Sequence, residues 1–173
     1  MVDVTEIQSG FASSRIDMAK FILVTVFMIE QRWRYFIDKE LETDGITTNQ
    51  WLMVIVIAAG FRSPPSIQEV ADAMSTTHQN VKQIASGLER RGFMTLERDP
   101  DNRRIIRLKV TERCLALFDS RAEGDTKTIL RMFESLTDDE MKALFHIIAK
   151  MESRADELYR EARAAKLGRE KEE

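Results

Sequence analysis

Residues 66–111 read SIQEVADAMSTTHQNVKQIASGLERRGFMTLERDPDNRRIIRLKVT, and this stretch decides the fold. Ser66 followed by Glu69 is the two-sided signature of a helix start: the hydroxyl takes a backbone N–H while the carboxylate reaches back. Ile67, Val70, Ala71 and Met74 then recur at helical spacing, predicting a short helix with one inner face. The sequence predicts that a second helix begins at Thr76, with Gln79 three residues on, and turns Val81, Ile84, Ala85 and Leu88 inward. Arg91-Gly92 stops it. From Phe93 the period changes to two, with Met94 and Leu96 alternating against Thr95 and Glu97, and it resumes with Ile106, Leu108 and Val110. Asp99-Pro100-Asp101-Asn102 between the two runs is a turn signal, so the pair forms a hairpin.

Outside this unit the chain reads as long helix. One helix is expected from Ser14 to Glu42, broken at Thr43-Asp44-Gly45; it is apolar on more than one side, which suits burial against its own domain and a partner subunit. Thr47 with Gln50 opens another helix, with Trp51, Val54, Ile55, Ala58 and Phe61 as the expected buried face. Thr111 caps a fifth helix carrying Leu115, Phe118, Ala122, Ile129 and Phe133 on one side. Thr137 with Glu140 opens a sixth. Its apolar positions, Met141, Leu144, Ile148, Met151, Ala155, Leu158, Ala162 and Ala165, alternate three and four apart, which is a heptad seam. From Lys166 the tail is almost wholly charged and is expected to fray.

The fold class is therefore mainly α: a winged helix-turn-helix with a small antiparallel β-hairpin, plus long N- and C-terminal helices. The expected divisions are 1–46 for an N-terminal dimerisation helix, 47–111 for the winged helix-turn-helix, and 112–173 for C-terminal dimerisation helices with a charged tail.

Composition narrows the function. With 43% hydrophobic and 32% charged residues in 173, the chain is globular and helix-rich. Neither apolar run, 21–29 or 51–59, approaches the roughly 20 residues a membrane-spanning helix needs. The N-terminus lacks the basic and apolar regions of a signal peptide, and a single cysteine, Cys114, excludes an internal disulfide, so a cytoplasmic location is expected. His78 and His146 are not accompanied by clustered carboxylates, and there is no nucleophile–base pattern or glycine-rich phosphate loop. No metal, cofactor or catalytic residue is expected. Cys114 reads as a small buried hydrophobe.

Charge points elsewhere. The chain carries a formal net charge of -3, yet residues 76–113 hold nine basic side chains against five acidic ones, hence +4 there and -7 in the remainder. An acidic body with one basic face suits a DNA reader. The polar residues at the start of the second helix, Thr76, Thr77, His78, Gln79, Asn80, Lys82 and Gln83, are of the type that pairs with base edges or phosphates in a major groove. Ser66 would grip phosphate, and the basic tip residues Arg103 and Arg104 would reach the adjacent minor groove or its phosphates.

From Thr47 to Met151 the sequence resembles the MarR family of winged-helix transcription regulators. The resemblance is carried by Thr47-x-x-Gln50-Trp51, Ile67-Gln68-Glu69-Val70-Ala71 and Leu88-Glu89-Arg90-Arg91-Gly92-Phe93. It continues through Asp99-Pro100, Arg103-Arg104 and Val110-Thr111 to Leu136-Thr137-Asp138-Asp139-Glu140. It implies an obligate homodimer whose terminal helices interlock, bound to double-stranded DNA at a pseudo-palindromic operator. It also implies a switch responsive to a small-molecule effector or an oxidant. The resulting expectation is a homodimeric repressor released by an effector, with Phe27, Trp33 and Trp51 as residues that would line the effector pocket. Asn102 departs from the family's wing, which has Asp there, and this departure leans toward the competing reading: a winged-helix dimer that serves as a protein-interaction module.

Overall fold

The computed structural model describes residues 14–169, with side chains through 165. It comprises two compact units divided at Leu52/Met53. No helix among the described residues is long and apolar enough to cross a membrane.

In the first unit, helix α1 spans Arg15–Leu41, and Ser14 accepts the Asp17 backbone N–H at its start. A 3-10 turn, Glu42–Asp44, ends on Gly45 in the left-handed region at φ 63°. Gly45 N–H donates to the Glu42 carbonyl and Ile46 N–H to Leu41, the paired bonds that close a helix end around a left-handed residue. Helix α2, Thr48–Gly60, begins here and runs into the second unit. Thr47 and Gln50 exchange their bonds as predicted. Asp38 adds a clamp the sequence did not announce: its carboxylate accepts both the Thr48 N–H at 2.7 Å and the Thr48 hydroxyl at 2.8 Å.

The buried face of α2 differs from expectation. Met53, Val54 and Ile57 are buried, whereas Ile55 and Ala58 are exposed and Trp51 and Phe61 are half-buried. The run WLMVIVIAA is apolar on every side, so its periodicity cannot select a face; the packing does.

The second unit holds the winged helix. Helix α3 is Ile67–Ala73 and α4 is His78–Arg90, followed by strands β1, Met94–Arg98, and β2, Ile106–Val110. The strands pair antiparallel with Met94 opposite Val110 and Leu96 opposite Leu108. Pro65 and Ser66 lie against the outer side of β2, where Leu108 N–H donates to the Pro65 carbonyl at 2.8 Å. Ile67, Val70, Ala71, Val81, Ile84, Ala85, Leu88, Phe93, Met94 and Leu108 close one core. Each large side chain fully buried there contributes about 1.5–3 kcal/mol.

Helix α5, Glu112–Met132, is capped by Thr111, and α6, Asp138–Arg169, starts after Thr137, whose backbone N–H and hydroxyl both donate to Glu140. Helix continues through Arg169, and residues 170–173 of the charged tail expected to fray from Lys166 lie outside the described residues. Cys114 is fully buried, and burial pushes its thiol up to about 11, so the thiolate is scarce near neutrality.

Candidate nucleic-acid interface

Helix α4 begins one residue later than its sequence suggested. Thr77, not Thr76, is the cap; its hydroxyl accepts the Asn80 N–H at 3.1 Å. The reason lies in how α3 ends. Ser75 sits at φ 50°, with its N–H on the Asp72 carbonyl and the Thr76 N–H on the Ala71 carbonyl. Those two bonds recruit Thr76 into the stop of α3 and pass the capping role to the next threonine. Gln79 accordingly has no capping-box role. Thr76 instead accepts from the Asn80 side-chain amide at 2.9 Å, which orients that amide.

Of the predicted contact residues, Thr77, His78, Gln79, Asn80, Lys82 and Gln83 are exposed around the first turns of α4, and Thr76 is half-buried. The opposite face of α4 is buried through Val81, Ile84, Ala85 and Leu88, so the helix cannot turn these polar side chains inward. A cleft of about 190 Å³ brings Ser66, Gln68, His78, Lys82 and Arg104 together with Ile67, Ile105 and Ile106. It joins the start of α3, the first turns of α4 and the wing on one basic surface. Ser66 itself is occupied as a helix cap, its hydroxyl accepting the Glu69 N–H while Glu69 accepts the Ser66 N–H.

The wing is braced from its base. Asp99 is buried; one carboxylate oxygen accepts the backbone N–H groups of Asp101 and Asn102, and the other accepts Arg107 Nε at 2.7 Å. Arg107 also donates to Glu69 at 3.0 Å, tying the wing to the capping box of α3. The Arg107 hydrogen bond holds the Asp99 carboxyl below the usual range, and the Ser66 N–H does the same, foremost, for Glu69. Sequence reasoning counted Arg107 only as one more positive charge, because its partners lie 8 and 38 residues away. Arg103 and Arg104 are exposed at the tip. Asn102, standing where an aspartate was expected, accepts the Arg104 backbone N–H at 3.1 Å and so shapes the tip's main chain. At the other end of the hairpin Arg113 lies 5.3 Å over the Phe93 ring.

The residues expected to line an effector pocket all fall in the first unit. Phe27 is exposed, and Trp33 and Trp51 are half-buried. The open grooves described there are lined by others: Met28, Gln31, Arg32 and Tyr35 in one, and Tyr35, Asp38, Lys39, Glu42 and residues 45–47 in another. Among the described residues no group of three His, Cys, Asp or Glu is placed to hold a metal ion.

Comparison with known proteins gives this arrangement a context. The MarR family model matches residues 44–105. The HTH-type transcriptional regulator YpoP of Bacillus subtilis is 21% identical over 138 residues, covering 80% of this chain and 93% of that protein. A MarR protein from Peptoclostridium difficile superposes with a TM-score of 0.74 at 16% identity, over 82% of this chain and 91% of that one. MepR of S. aureus, solved as a DNA complex, gives 0.69 at 19% identity over 78% and 97%. A cysteine-to-serine mutant of E. coli MarR, solved with operator DNA, gives 0.69 at 16% over 80% and 99%. The fold is that of the MarR-type transcription regulators.

Proposed function

We propose that the protein is a homodimeric, sequence-specific DNA-binding transcription regulator, a repressor released by a small-molecule effector; the match of the MarR family model to residues 44–105 supports this reading. The observation that carries the reading is the shared basic cleft: Lys82 and His78 of α4, Arg104 of the wing and the start of α3 face the same side. In this reading the first turns of α4 enter the major groove, Lys82, Ser66 and Arg104 address the backbone, and Arg103 and Arg104 extend the footprint beyond it. Two copies would place their reading helices about one helical turn, roughly 34 Å, apart on a pseudo-palindromic operator. The second copy would cover the apolar surfaces that one chain leaves open on α1, α5 and α6, where Phe27, Leu130 and Phe145 are each more than 60% exposed. The effector would bind near Phe27, Trp33 and Trp51.

Selection of the purified protein on randomised duplex DNA at physiological salt, followed by a salt titration on the winning sequence, tests this. The expected winner is an inverted repeat. Lys82→Ala should weaken binding evenly across sequences and flatten the salt slope by about one unit. Gln83→Ala and Asn80→Ala should relax base preference, each at a cost of about 1–3 kcal/mol. Binding that vanishes with salt and selects no sequence would remove the DNA reading and bring forward the protein-interaction module.

A further inference from the structure

We propose that the distal end of α6 is a strut that fixes the orientation of α3, through an ion pair between Arg163 and Asp72, and so sets how well the reading head engages DNA; the DNA consequence rests on the function proposed above. The two residues are 91 positions apart, and Arg163 Nη1 donates directly to the Asp72 carboxylate. The same carboxylate oxygen accepts Gln68 Nε2, one turn earlier on α3, at 2.9 Å. On the α6 side Tyr159, one turn before Arg163 on the same face of the helix, is half-buried. A short helix of seven residues is thereby held by the far end of a helix of 32.

The position of the strut on α6 gives it a role beyond packing. Asp156, Tyr159 and Arg163 lie together on one face, and Asp156 and Tyr159 are the half-buried residues of this segment. The heptad seam containing Met151 and Leu158, both exposed, runs about a quarter turn around the same helix. One rigid element therefore carries an apolar seam open to another copy and a charged grip on the first helix of the reading head. A rotation of α6 that repacks the seam must also move Arg163 relative to Asp72. The pair is half-exposed, with side-chain exposures of 41% and 50%, so it biases an equilibrium by a few-fold rather than locking it. That is the strength a reversible coupling needs.

The test is a charge swap in the full chain: Asp72→Arg and Arg163→Asp singly, then both together, with Arg163→Lys as the conservative variant. The readouts are hydrogen exchange of the α3 amides, the global unfolding midpoint, and affinity for the selected duplex. Each single variant should speed α3 exchange and weaken operator binding by roughly threefold while leaving the midpoint in place. The swap should restore both, and Arg163→Lys should retain most of the effect. Unchanged α3 exchange in the single variants, or exchange that stays fast in the swap, overturns the strut. Exchange that responds while operator affinity does not overturns its control of DNA reading. A wild-type protein that selects no duplex sinks the function reading instead, and the exchange arm alone then decides whether the strut exists.

Discussion

The winged helix and the long helices use the same apolar residue types with opposite results. In the head, Val70, Val81, Leu88 and Leu108 have no exposed surface at all. On the long helices Phe145 is 69% exposed, Leu130 65% and Leu23 60%. The head closes its core within one chain because two short helices and a hairpin surround a common centre. The helices present stripes that one chain cannot cover, and stripes of that extent mark an interaction surface. The molecule thus separates a part that folds against itself from helices whose apolar stripes one chain leaves open.

Truncation gives the largest contrast. Leu88→Ala should cost about 2–5 kcal/mol, because the surrounding residues cannot collapse into the space. Phe145→Ser leaves no internal cavity and should change the unfolding of the dissociated chain by about 0.5 kcal/mol or less. In the proposed dimer its effect should appear in self-association: sedimentation should show a weaker dimer, and raising the protein concentration should lift the unfolding midpoint less than in the wild type. Denaturant titrations at two concentrations separate the cases. Equal destabilisation of the dissociated chain by both substitutions would break the contrast.

The ionic brace of the wing sharpens it. Arg107→Met removes the partner of buried Asp99 and half-exposed Glu69, and should destabilise the head while loosening the wing. The sign of its pH dependence follows from the shifts. Asp99 and Glu69 are held below their ordinary values of 3.8 and 4.5, so the native state binds fewer protons than the unfolded chain. Their contribution is complete above those ordinary values and is lost as the pH falls through the depressed ones. The wild-type head should lose stability on acidification below about pH 4, and Arg107→Met should lose less over the same range. Thermal melts between pH 3 and 6 in the two proteins check this; parallel curves would show that the brace carries none of the dependence.

What the sequence revealed depended on how far apart the cooperating residues were. Thr47 with Gln50, Ser66 with Glu69 and Thr137 with Glu140 were legible because a capping box is completed within three residues. The inner faces of α3 and α4 were legible because polar residues interrupt them at helical spacing. The face of α2 was not, since nothing polar marks its outer side. Arg107 on Glu69 and Arg163 on Asp72 were invisible for a different reason: each is chosen by tertiary packing among many equivalent charged residues. At the candidate interface, residue types nominated the start of α4 and the wing tip, whereas the bond between Thr76 and Asn80 required the turn between the helices to be seen.

That turn supplies the smallest predicted effect. Among the described residues three helix ends stop on a left-handed residue: the first unit uses Gly45, the head uses Gly92 after α4, and α3 uses a residue with a side chain, Ser75. A Cβ at positive φ costs about 1–2 kcal/mol, part of which a glycine returns as chain entropy in the unfolded state. Ser75→Gly should therefore stabilise the head by about 0.5–1 kcal/mol in a urea titration, while Gly92→Ala, at φ 73°, should destabilise it by a similar amount. The two substitutions test one backbone conformation from opposite directions. If Ser75→Gly destabilised the protein, the serine side chain would be holding the turn rather than being tolerated by it. The start of α4 at Thr77 would then depend on that side chain and not on the backbone bonds of Ser75 and Thr76 alone.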